Sequence, residues 1–554
     1  MRLLRNLIYV FSLCAALLVL MMPASCIKDV GYLTDASVRL AFSEDTVAFD
    51  TVFATMGTTT RQVKVYNPYG SPVKVDAVAL RGGAMSRFRI NVDGDTAMVA
   101  RNVEIGAHDS IFIFVQACIN PNDQTSPYLV EDAIDFYFAG DASGTPRQSL
   151  TLTAYGRNAV YHNPDHLLRV PSVDADGRPD TIDFPYSVID CDTWDHSRPH
   201  VIMGYAVVDS DKTLHLQPGD ELYFGADAYL WVYDGGTLDV HGTQGQPVLF
   251  TSLRHDGWYD TLPGQWGYIW LSSGSKDNYI EWARIDNGVA GIVVDTNVNS
   301  NPTLTIRNSV IENHSFAGIV GQGAYIDGDN MLVDNCGANL LLLRYGGRYL
   351  FSSSTFANYW RYNSRTDAAV RLNNYYFSAD ESLILRDLQQ ARFDNCIIYG
   401  TYVGADSVGE LNLDIAEGAA FNMTLNHCLL KTFHIDSAAY PGWHLLVNRD
   451  PLLVDPTGHN YHLGEGSPAC AAGDATALRQ PTDLDGMARN TPPSIGCYEY
   501  VAAAMSRQGN KPIMSQLCTT TSQGASTRLR RPTRSSTAAG WAICSKYRST
   551  PTLK

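Results

Sequence analysis

Leu304-Thr-Ile-Arg-Asn308-Ser-Val-Ile311 is the clearest copy of a phrase in which an apolar strand runs directly into Asn and a small residue. The phrase returns, with variations, at residues 331–336, 392–398 and 425–430. Steps of about twenty to thirty residues between such strands are typical of a coil of short β-strands, in which each turn stacks on the previous one around a continuous core. The recurrence therefore predicts a solenoid.

The repeated phrase also predicts which side chains point into the coil. The expected inward strand residues include Ile306, Val333 and Phe393. Asn tolerates the backbone angles of tight bends, so we expect a ladder of asparagines at one bend. The predicted ladder consists of Asn308, Asn335 and Asn395. The cysteines that follow the phrase are predicted to be buried small residues, because no close Cys-x-x-Cys pair marks a zinc site. They are Cys336, Cys396 and Cys428.

The N-terminus has the pattern of a bacterial export signal. Two arginines stand among the first five residues, and residues 7–22 form an apolar stretch without charge, as in a secretory signal sequence. Pro23-Ala-Ser-Cys26 follows and resembles a lipobox, in which small residues precede a cysteine that is lipidated and becomes the mature N-terminus. We therefore predict a lipoprotein signal peptide over residues 1–25 and lipidation of Cys26. The alternative is an ordinary cleaved signal with an incidental cysteine.

The C-terminus differs in composition from the rest of the chain. From residue 503 to the end there are nine Lys or Arg and no Asp or Glu. Such a segment cannot build a core, so we predict a basic, disordered tail over residues 501–554. The formal net charge of the whole chain is −16, and the remaining residues are therefore more acidic than this value indicates. An acidic body on an exported chain argues against nucleic acid as a partner.

At 554 residues the chain exceeds what one hydrophobic core supports, so we expect two folded units. The first, over residues 38–156, contains β-rich runs separated by Asn, Pro and Gly turns. Its size predicts an immunoglobulin-like β-sandwich, although the Cys-Trp-Cys pattern of a true immunoglobulin domain is missing. We predict a linker over residues 26–37 before it and a connector over residues 157–200 after it.

The second unit is expected over residues 201–500, where short strands are joined by glycine turns. Gly264-Gln-Trp-Gly-Tyr-Ile-Trp270 and the closing residues Gly466-Ser-Pro-Ala-Cys470 and Ile495-Gly-Cys-Tyr-Glu-Tyr500 resemble the right-handed parallel β-helix proteins of the pectate-lyase-like group, in their Bacteroidetes lipoprotein branch. The resemblance implies an all-β chain with a right-handed parallel β-helix behind the sandwich. It implies no single activity, because this architecture hosts lyases, hydrolases and adhesins alike.

Two cysteines near the end of this unit are candidates for a disulfide. An exported chain meets oxidising conditions, and Cys470 and Cys497 are placed to staple the final turn. The pairing is a hypothesis that a titration of free thiols would test.

Five arginines interleaved with aromatic residues form the candidate ligand site. Arginine clamps carboxylates or sulfates with two hydrogen bonds, and aromatic faces stack on sugar rings. The candidates are Arg344, Tyr345, Arg348, Arg361, Tyr362, Arg365 and Arg371. They predict a groove for an anionic glycan on the β-helix. The alternative is a set of arginines paired with surface acids, which is ordinary on protein surfaces.

Catalysis is left open by the sequence. Nucleophile elbow, zinc-protease and phosphate-loop motifs are all missing from the chain. A lyase would use arginine or Ca²⁺ to neutralise a substrate carboxylate, and a hydrolase would need two carboxylates on one face. The available acids are Asp286, Asp295, Asp327, Asp329, Asp334 and Asp394, and the sequence does not show which of them share a face. If the protein is an enzyme, we favour a polysaccharide lyase.

We predict no resident metal or cofactor. Asp327-Gly-Asp-Asn330 and Asp483-Leu-Asp-Gly486 offer oxygen ligands for Ca²⁺ but lack the remainder of a calcium loop. His459 and His462 with Glu465 are a further, incomplete metal motif. Asp and Gly recur in turns for backbone reasons, so a structural role is expected for these turns.

These observations predict a lipoprotein anchored to the outer membrane, at the cell surface or on the periplasmic side, that binds or presents carbohydrate through one face of its β-helix. The expected partner is an extracellular or cell-surface polysaccharide. The alternatives are a lyase or glycoside hydrolase acting on acidic glycans, and a structural adhesin without a small ligand.

Overall fold

The computed structural model describes residues 31–33, 35–120, 127–139, 141, 144–173, 178–189, 194, 196–255, 257–404 and 408–502. The predicted signal peptide, Cys26 and residues 503–554 of the predicted basic tail lie outside these residues. The chain divides into two compact units between Asn158 and Ala159. None of the helices in the described part of the chain is long and apolar enough to cross a membrane.

The first unit is the predicted β-sandwich. One sheet contains, in spatial order, β1 (Ala41–Phe42), β3 (Arg61–Tyr66), β7 (Ser110–Ala117) and β5 (Phe88–Val92). The other contains β2 (Thr46–Phe53), β9 (Gln148–Arg157), β8 (Tyr128–Tyr137), β4 (Val73–Leu80) and β6 (Val99–Ile105). Alternate residues of these strands, such as Val63 and Val65, are fully buried and form one core, as expected for two packed sheets that are each half solvated.

The second unit is a right-handed parallel β-helix with three sheets, which we number in the order in which each turn visits them. From residue 200 onwards, neighbouring strands of each sheet come from successive turns and pair in parallel. The described strands of sheet 1 are β10 (Val160–His162), β13 (His200–Ile202), β16 (Glu221–Phe224), β19 (Val248–Ser252), β22 (Ala283–Asp286), β25 (Val310–Glu312), β28 (Leu332–Asp334), β31 (Thr355–Asn358), β36 (Ile397–Gly400), β39 (Leu429–Leu430) and β40 (Leu446–Val447).

Sheets 2 and 3 complete each turn. The described strands of sheet 2 are β11 (His166–Val173), β12 (Pro179–Val188), β14 (Tyr205–Val208), β17 (Tyr229–Val232), β20 (Ile269–Leu271), β23 (Ala290–Val294), β26 (Ala317–Gln322), β29 (Asn339–Arg344), β32 (Val370–Asn373) and β37 (Leu411–Asp414). Those of sheet 3 are β15 (Thr213–Leu216), β18 (Thr237–His241), β21 (Asn278–Glu281), β24 (Leu304–Arg307), β27 (Tyr325–Asp329), β30 (Gly347–Ser352), β35 (Leu388–Asp394) and β38 (Phe421–Asn426).

A few elements lie outside the three sheets. They are the antiparallel pairs β33 (Tyr375–Phe377) with β34 (Leu383–Leu385) and β41 (Leu453–Asp455) with β42 (Asn460–Leu463), and the short 3-10 turns Gly83–Met85, Gly257–Thr261, Ser437–Ala439, Pro441–Trp443, Pro456–Gly458 and Ala475–Ala477. The segment predicted as a connector, residues 157–200, contains β10, β11 and β12. Strands β10 and β12 pair with the first turns of the coil, and β11 pairs with β12.

The core of the coil consists of columns of side chains in register between turns. Ile306, Val333 and Phe393 are all fully buried in it, which confirms their predicted inward orientation. Phe393 stacks on Phe351 of the preceding turn, with ring centroids 5.4 Å apart. Such a column buries apolar surface without interruption, and this burial is the main force that holds the turns together.

The three asparagines of the predicted ladder lie at two different bends of the coil. Asn308 and Asn395 lie at the bend between sheets 3 and 1, whereas Asn335 lies at the end of a sheet 1 strand. The three therefore do not form one ladder. Two separate ladders exist instead: Asn330 Nδ2 donates to Asn308 Oδ1 at 2.7 Å, and Asn335 Nδ2 donates to Asn313 Oδ1 at 2.9 Å. Asn395 Nδ2 donates to the carbonyl of Asp474.

The cysteines agree with only part of the prediction. Cys336, Cys396 and Cys428 are buried in the core of the coil, as expected. The proposed disulfide is not formed, because Cys470 and Cys497 are both free thiols. Cys497 packs with Tyr461 and Leu484, whereas Cys470 packs against a different cluster around Ile495.

Residues 450–500, which we call the closing segment, fold back over the outer face of sheet 1. Val310 and Leu332, which point out of the coil, are covered by Tyr461, Leu484 and Tyr498 of this segment. Farther along the sheet, the segment covers Ile397 and Leu429 in the same way. The outer face of sheet 1 is therefore partly a second core, and polar side chains on it are desolvated.

Candidate functional site on sheet 1

The structure distributes the predicted arginine site over three faces of the coil. Arg344 and Arg371 lie on sheet 2, and Arg348 lies on sheet 3. Arg361 and Arg365 follow strand β31 of sheet 1. The five arginines therefore do not converge on one groove.

Several of these arginines already have partners in the protein. Arg365 and Glu410 form a buried ion pair of 2.5 Å, and Arg371 binds the carboxylates of Asp367 and Asp414 at 2.9 and 2.8 Å. Such pairs tie successive turns together, which is the structural alternative that the sequence left open.

Arg344 and Arg348 instead bind amide side chains. Arg344 Nη2 donates to Gln322 Oε1 at 2.7 Å, and its guanidinium lies 4.9 Å from the ring centroid of Tyr345. Arg348 donates to Gln390 Oε1 at 3.1 Å. Both arginines thus sit among residues of neighbouring turns.

Two of the six aspartates considered as catalytic candidates, Asp286 and Asp334, lie on the same face of sheet 1, and Glu312 lies between them. Asp286, Glu312 and Asp334 end strands β22, β25 and β28 and are aligned in register on three successive turns of sheet 1. We call these three residues the acid row. Strands in a sheet lie about 4.8 Å apart, so three carboxylates follow one another at that spacing. The other acids named above lie on or beside sheets 2 and 3.

Sequence reasoning missed Glu312 and its neighbour Arg284. A signal for the row was present, because each of its acids stands between an apolar strand residue and an asparagine: Ile285-Asp286-Asn287, Ile311-Glu312-Asn313 and Val333-Asp334-Asn335. The recurrent acid-Asn pair marks the same position of each turn.

The acid row is buried and tied together by two cationic side chains. The exposed fractions of Asp286, Glu312 and Asp334 are only 8, 7 and 0%. Arg284 bridges the first two, with Nε 3.2 Å from Asp286 Oδ2 and Nη2 2.5 Å from Glu312 Oε1. From the closing segment, His459 Nδ1 lies 2.9 Å from Asp334 Oδ2 and 3.5 Å from Glu312 Oε2.

Burial and charge shift the proton affinities of this cluster in opposite directions. Burial raises the pKa of Glu312, Arg284 opposes that rise, and the charge of Asp334 adds to it. Burial lowers the pKa of His459, but its hydrogen bond to Asp334 and the charges of both acids outweigh this effect and raise the pKa to about 9. His459 is therefore a cation at neutral pH and offsets part of the negative charge of the row.

One loop is fixed to the end of the acid row by the asparagines that follow its first two acids. Asn287 Nδ2 donates to the carbonyl of Asp260 at 3.1 Å, and Asn313 Nδ2 donates to the carbonyl of Thr261 at 2.8 Å. These carbonyls belong to the 3-10 turn Gly257–Thr261, whose Trp258 is 67% exposed.

A second loop, after β31, is bonded to the first. The Tyr362 hydroxyl donates to the carbonyl of Thr261 at 2.5 Å, and its ring lies 4.8 Å from that of Trp360. The neighbouring Arg361 donates to the carbonyl of Thr457, two residues before His459. Trp258, Arg361 and Tyr362, which we call the rim, are all exposed and stand on loops joined to the acid row or to His459.

No protein-family model matches the chain, and no curated protein matches it by sequence. Solved structures show faint likenesses. The N-terminal domain of PorA is 13% identical, with 21% of this chain and 97% of that chain covered and a TM-score of 0.16. For WR4, a C. elegans MSP family member, the identity is 9%, the coverage is 21% and 96%, and the TM-score is 0.15.

A third likeness covers more of the chain. The catalytic domain of GH87 alpha-1,3-glucanase in complex with tetrasaccharides is 11% identical, with 67% of this chain and 78% of that chain covered and a TM-score of 0.13. Likenesses at this level identify neither a family nor an activity, so function has to be inferred from the chemistry of the site.

Proposed function

We propose that the protein binds carbohydrate at the rim, next to the acid row of its β-helix. The observation that carries this proposal is the exposure of Trp258 and Tyr362 on two loops that are hydrogen-bonded to each other and to the end of the row. Flat aromatic faces bury sugar rings, and a few placed polar groups fix the orientation of a ligand. A loop bonded at several points also loses little conformational freedom when a ligand binds.

The charges around this surface favour a neutral polysaccharide. In their ionised forms, the three carboxylates of the acid row outnumber Arg284 and His459, the cations that contact them among the described residues. A uronic acid or sulfated sugar would add negative charge beside this cluster, which is unfavourable where few water molecules screen it.

Binding of neutral and uronic acid polysaccharides to the full chain by calorimetry tests the proposal. We expect the neutral polymers to bind, and Trp258→Ala to weaken that binding about tenfold, because one stacked aromatic contact is worth on the order of 1–2 kcal/mol. Phe377→Ala is the matched control, since Phe377 is 64% exposed on β33, away from the rim. Equal affinity in wild type and Trp258→Ala, or an absence of binding to any polymer, would contradict the proposal.

Cleavage instead of binding has one observation in its favour. The raised pKa of Glu312 is the property that a glycosidase needs in its proton donor, which works next to an ionised carboxylate. Assays for reducing ends and for the absorbance of unsaturated sugars on the same polymers decide the matter. Product that vanishes in Glu312→Gln would make the protein an enzyme, whereas unchanged polymer leaves it a binding protein.

The proposed location follows from the N-terminal sequence. Lipidation of Cys26 would hold the protein at the outer membrane, where a cell-surface polysaccharide is within reach.

A further inference from the structure

Three side chains from separate parts of the second unit meet at the middle of sheet 1. Glu312 and Asp334 project from adjacent turns, and His459 reaches them from the closing segment. One ligand atom of each lies within 4.8 Å of the corresponding atoms of the other two. The three are far apart in the sequence, and the fold places two carboxylate oxygens and one imidazole nitrogen around a single point.

A second observation concerns two buried polar atoms beside this point. Asp334 Oδ1 and the Tyr461 hydroxyl each lack a hydrogen-bond partner of good geometry, although Asp334 and Tyr461 are 0 and 1% exposed. The Asp334 carboxylate is itself the side chain that interacts with the Tyr461 hydroxyl, so the two groups face each other beside the three ligand atoms. Buried polar groups are nearly always satisfied, and an unpartnered one indicates an ion, a water molecule or a ligand.

The charge of the cluster is also incomplete. With the acid row ionised and His459 protonated, three carboxylates face the two cations Arg284 and His459, which leaves a formal charge of −1. Burial makes such an excess costly. One divalent cation with a neutral His459 would balance it fully.

We infer that Glu312, Asp334 and His459 form a binding site for a divalent transition-metal ion of the Zn²⁺ class. A mixed set of imidazole and carboxylate ligands suits Zn²⁺, whereas Ca²⁺ and Mg²⁺ prefer oxygen ligands alone. When the ion binds, the proton on His459 Nδ1 passes to solvent and that nitrogen becomes a ligand. The site joins the closing segment to two turns of the coil.

The motifs that the sequence singled out for metals take other roles. His462 Nε2 binds Asp485 Oδ2 at 2.6 Å instead of joining His459. Asp327 pairs with Arg479, and the Asp483 carboxylate accepts backbone N–H groups of its own turn and of Glu499. Partners within the protein thus occupy these acids, which agrees with the structural role expected for their turns.

Titration of the full chain with Zn²⁺ alone, after removal of metals with a chelator, tests the site without any glycan. Calorimetry is expected to show one tight site, and Co²⁺ at the same site should give visible absorption bands typical of nitrogen and oxygen ligands. His459→Gln and Asp334→Asn should each weaken Zn²⁺ binding by at least about tenfold. His462→Gln is the matched control three residues away and should bind Zn²⁺ as the wild type does.

Three outcomes would overturn the inference: no Zn²⁺ binding by the wild type, equal binding by His459→Gln and Asp334→Asn, or equal loss in His462→Gln. Thermal unfolding of each metal-free variant separates loss of a ligand from loss of the fold. If Asp334→Asn unfolds early, the Co²⁺ spectrum of His459→Gln decides alone, because His459 is partly exposed. The carbohydrate proposal is tested with different ligands and at the rim, so either proposal can fail without the other.

Discussion

The bends of the coil require a positive φ angle at single residues, whichever amino acid stands there. At the bend between sheets 3 and 1, Asn308, Asn330 and Asn395 have φ values of 49, 54 and 53°. Trp282 and Ser353 occupy the same bend of other turns with φ values of 51 and 46°, although neither residue favours this left-handed region. Asparagine was thus a good marker of the bend, but the stacking of turns enforces the conformation where asparagine is missing.

His162 leads to a prediction about pH. Burial, followed by the charge of His200, lowers the pKa of His162 to about 4, and its Nε2 lies 2.9 Å from His200 Nδ1. The unfolded chain takes up a proton on this imidazole near pH 6.5, whereas the folded protein keeps it neutral down to about pH 4. Above pH 6.5 the imidazole is neutral in both states, and the folded protein has its full stability. Part of it is lost as the pH falls from about 6.5 to about 4. We expect the second unit to lose on the order of 3 kcal/mol of unfolding free energy over this window from this residue.

His162→Gln should flatten that part of the stability profile, measured by denaturant unfolding between pH 7 and 4. His166→Gln is the control, because the His166 side chain is 52% exposed and its replacement should leave the profile unchanged. An unaltered profile in His162→Gln would show that other groups govern the acid sensitivity.

Among the strands, sheet 2 shows how closely successive turns approach. A Cβ atom at Gly318, in strand β26, would clash with Val333 Cγ1 and would lie 2.7 Å from the carbonyl oxygen of Leu340. The first contact is with sheet 1 and the second is with the next turn of sheet 2. Glycine is required there because the interior has no room for a methyl group.

Gly318→Ala should therefore destabilise the second unit by about 1–3 kcal/mol, the usual cost of overpacking. Gly245→Ala is the matched control, since a Cβ there would meet nothing within 4 Å, and a change within about 0.5 kcal/mol is expected. Urea unfolding of both variants measures the difference. Equal stability of the two would mean that the turns separate more easily than their packing indicates.

At the scale of the whole molecule, an acidic body is combined with a predicted export signal and a predicted lipid anchor. We expect Cys26→Ala to abolish incorporation of labelled fatty acid and to move the protein from the detergent phase to the aqueous phase on phase separation, because no other anchor is predicted. Cys118→Ala, in the first unit, should remain lipidated and serves as the control. If Cys26→Ala still incorporates the labelled fatty acid, Cys26 is not the lipidated residue and the lipoprotein prediction is wrong.

The solenoid, its inward residues and the sandwich were predictable because each depends on short-range patterns. Successive side chains of a strand point to opposite faces, so the sequence around Ile306 shows that this residue points into the core. The repeated phrase in successive turns shows that the turns stack. The same patterns found Asp286 and Asp334 as available acids. They did not distinguish the bend between sheets 3 and 1 from the bend after sheet 1, because Asn occurs at both.

The site itself depended on long-range geometry. The asparagines that directly follow the three acids, Asn287, Asn313 and Asn335, are 26 and 22 residues apart in the sequence. Because these spacings are unequal, the acids come into register only when the turns have folded. His459 is 125 residues beyond Asp334 and meets it only because the closing segment folds back over sheet 1. Periodic sequence determines a repeating backbone, since each turn needs only its neighbours, but residues that meet across a fold-back share no period that a linear pattern can reveal.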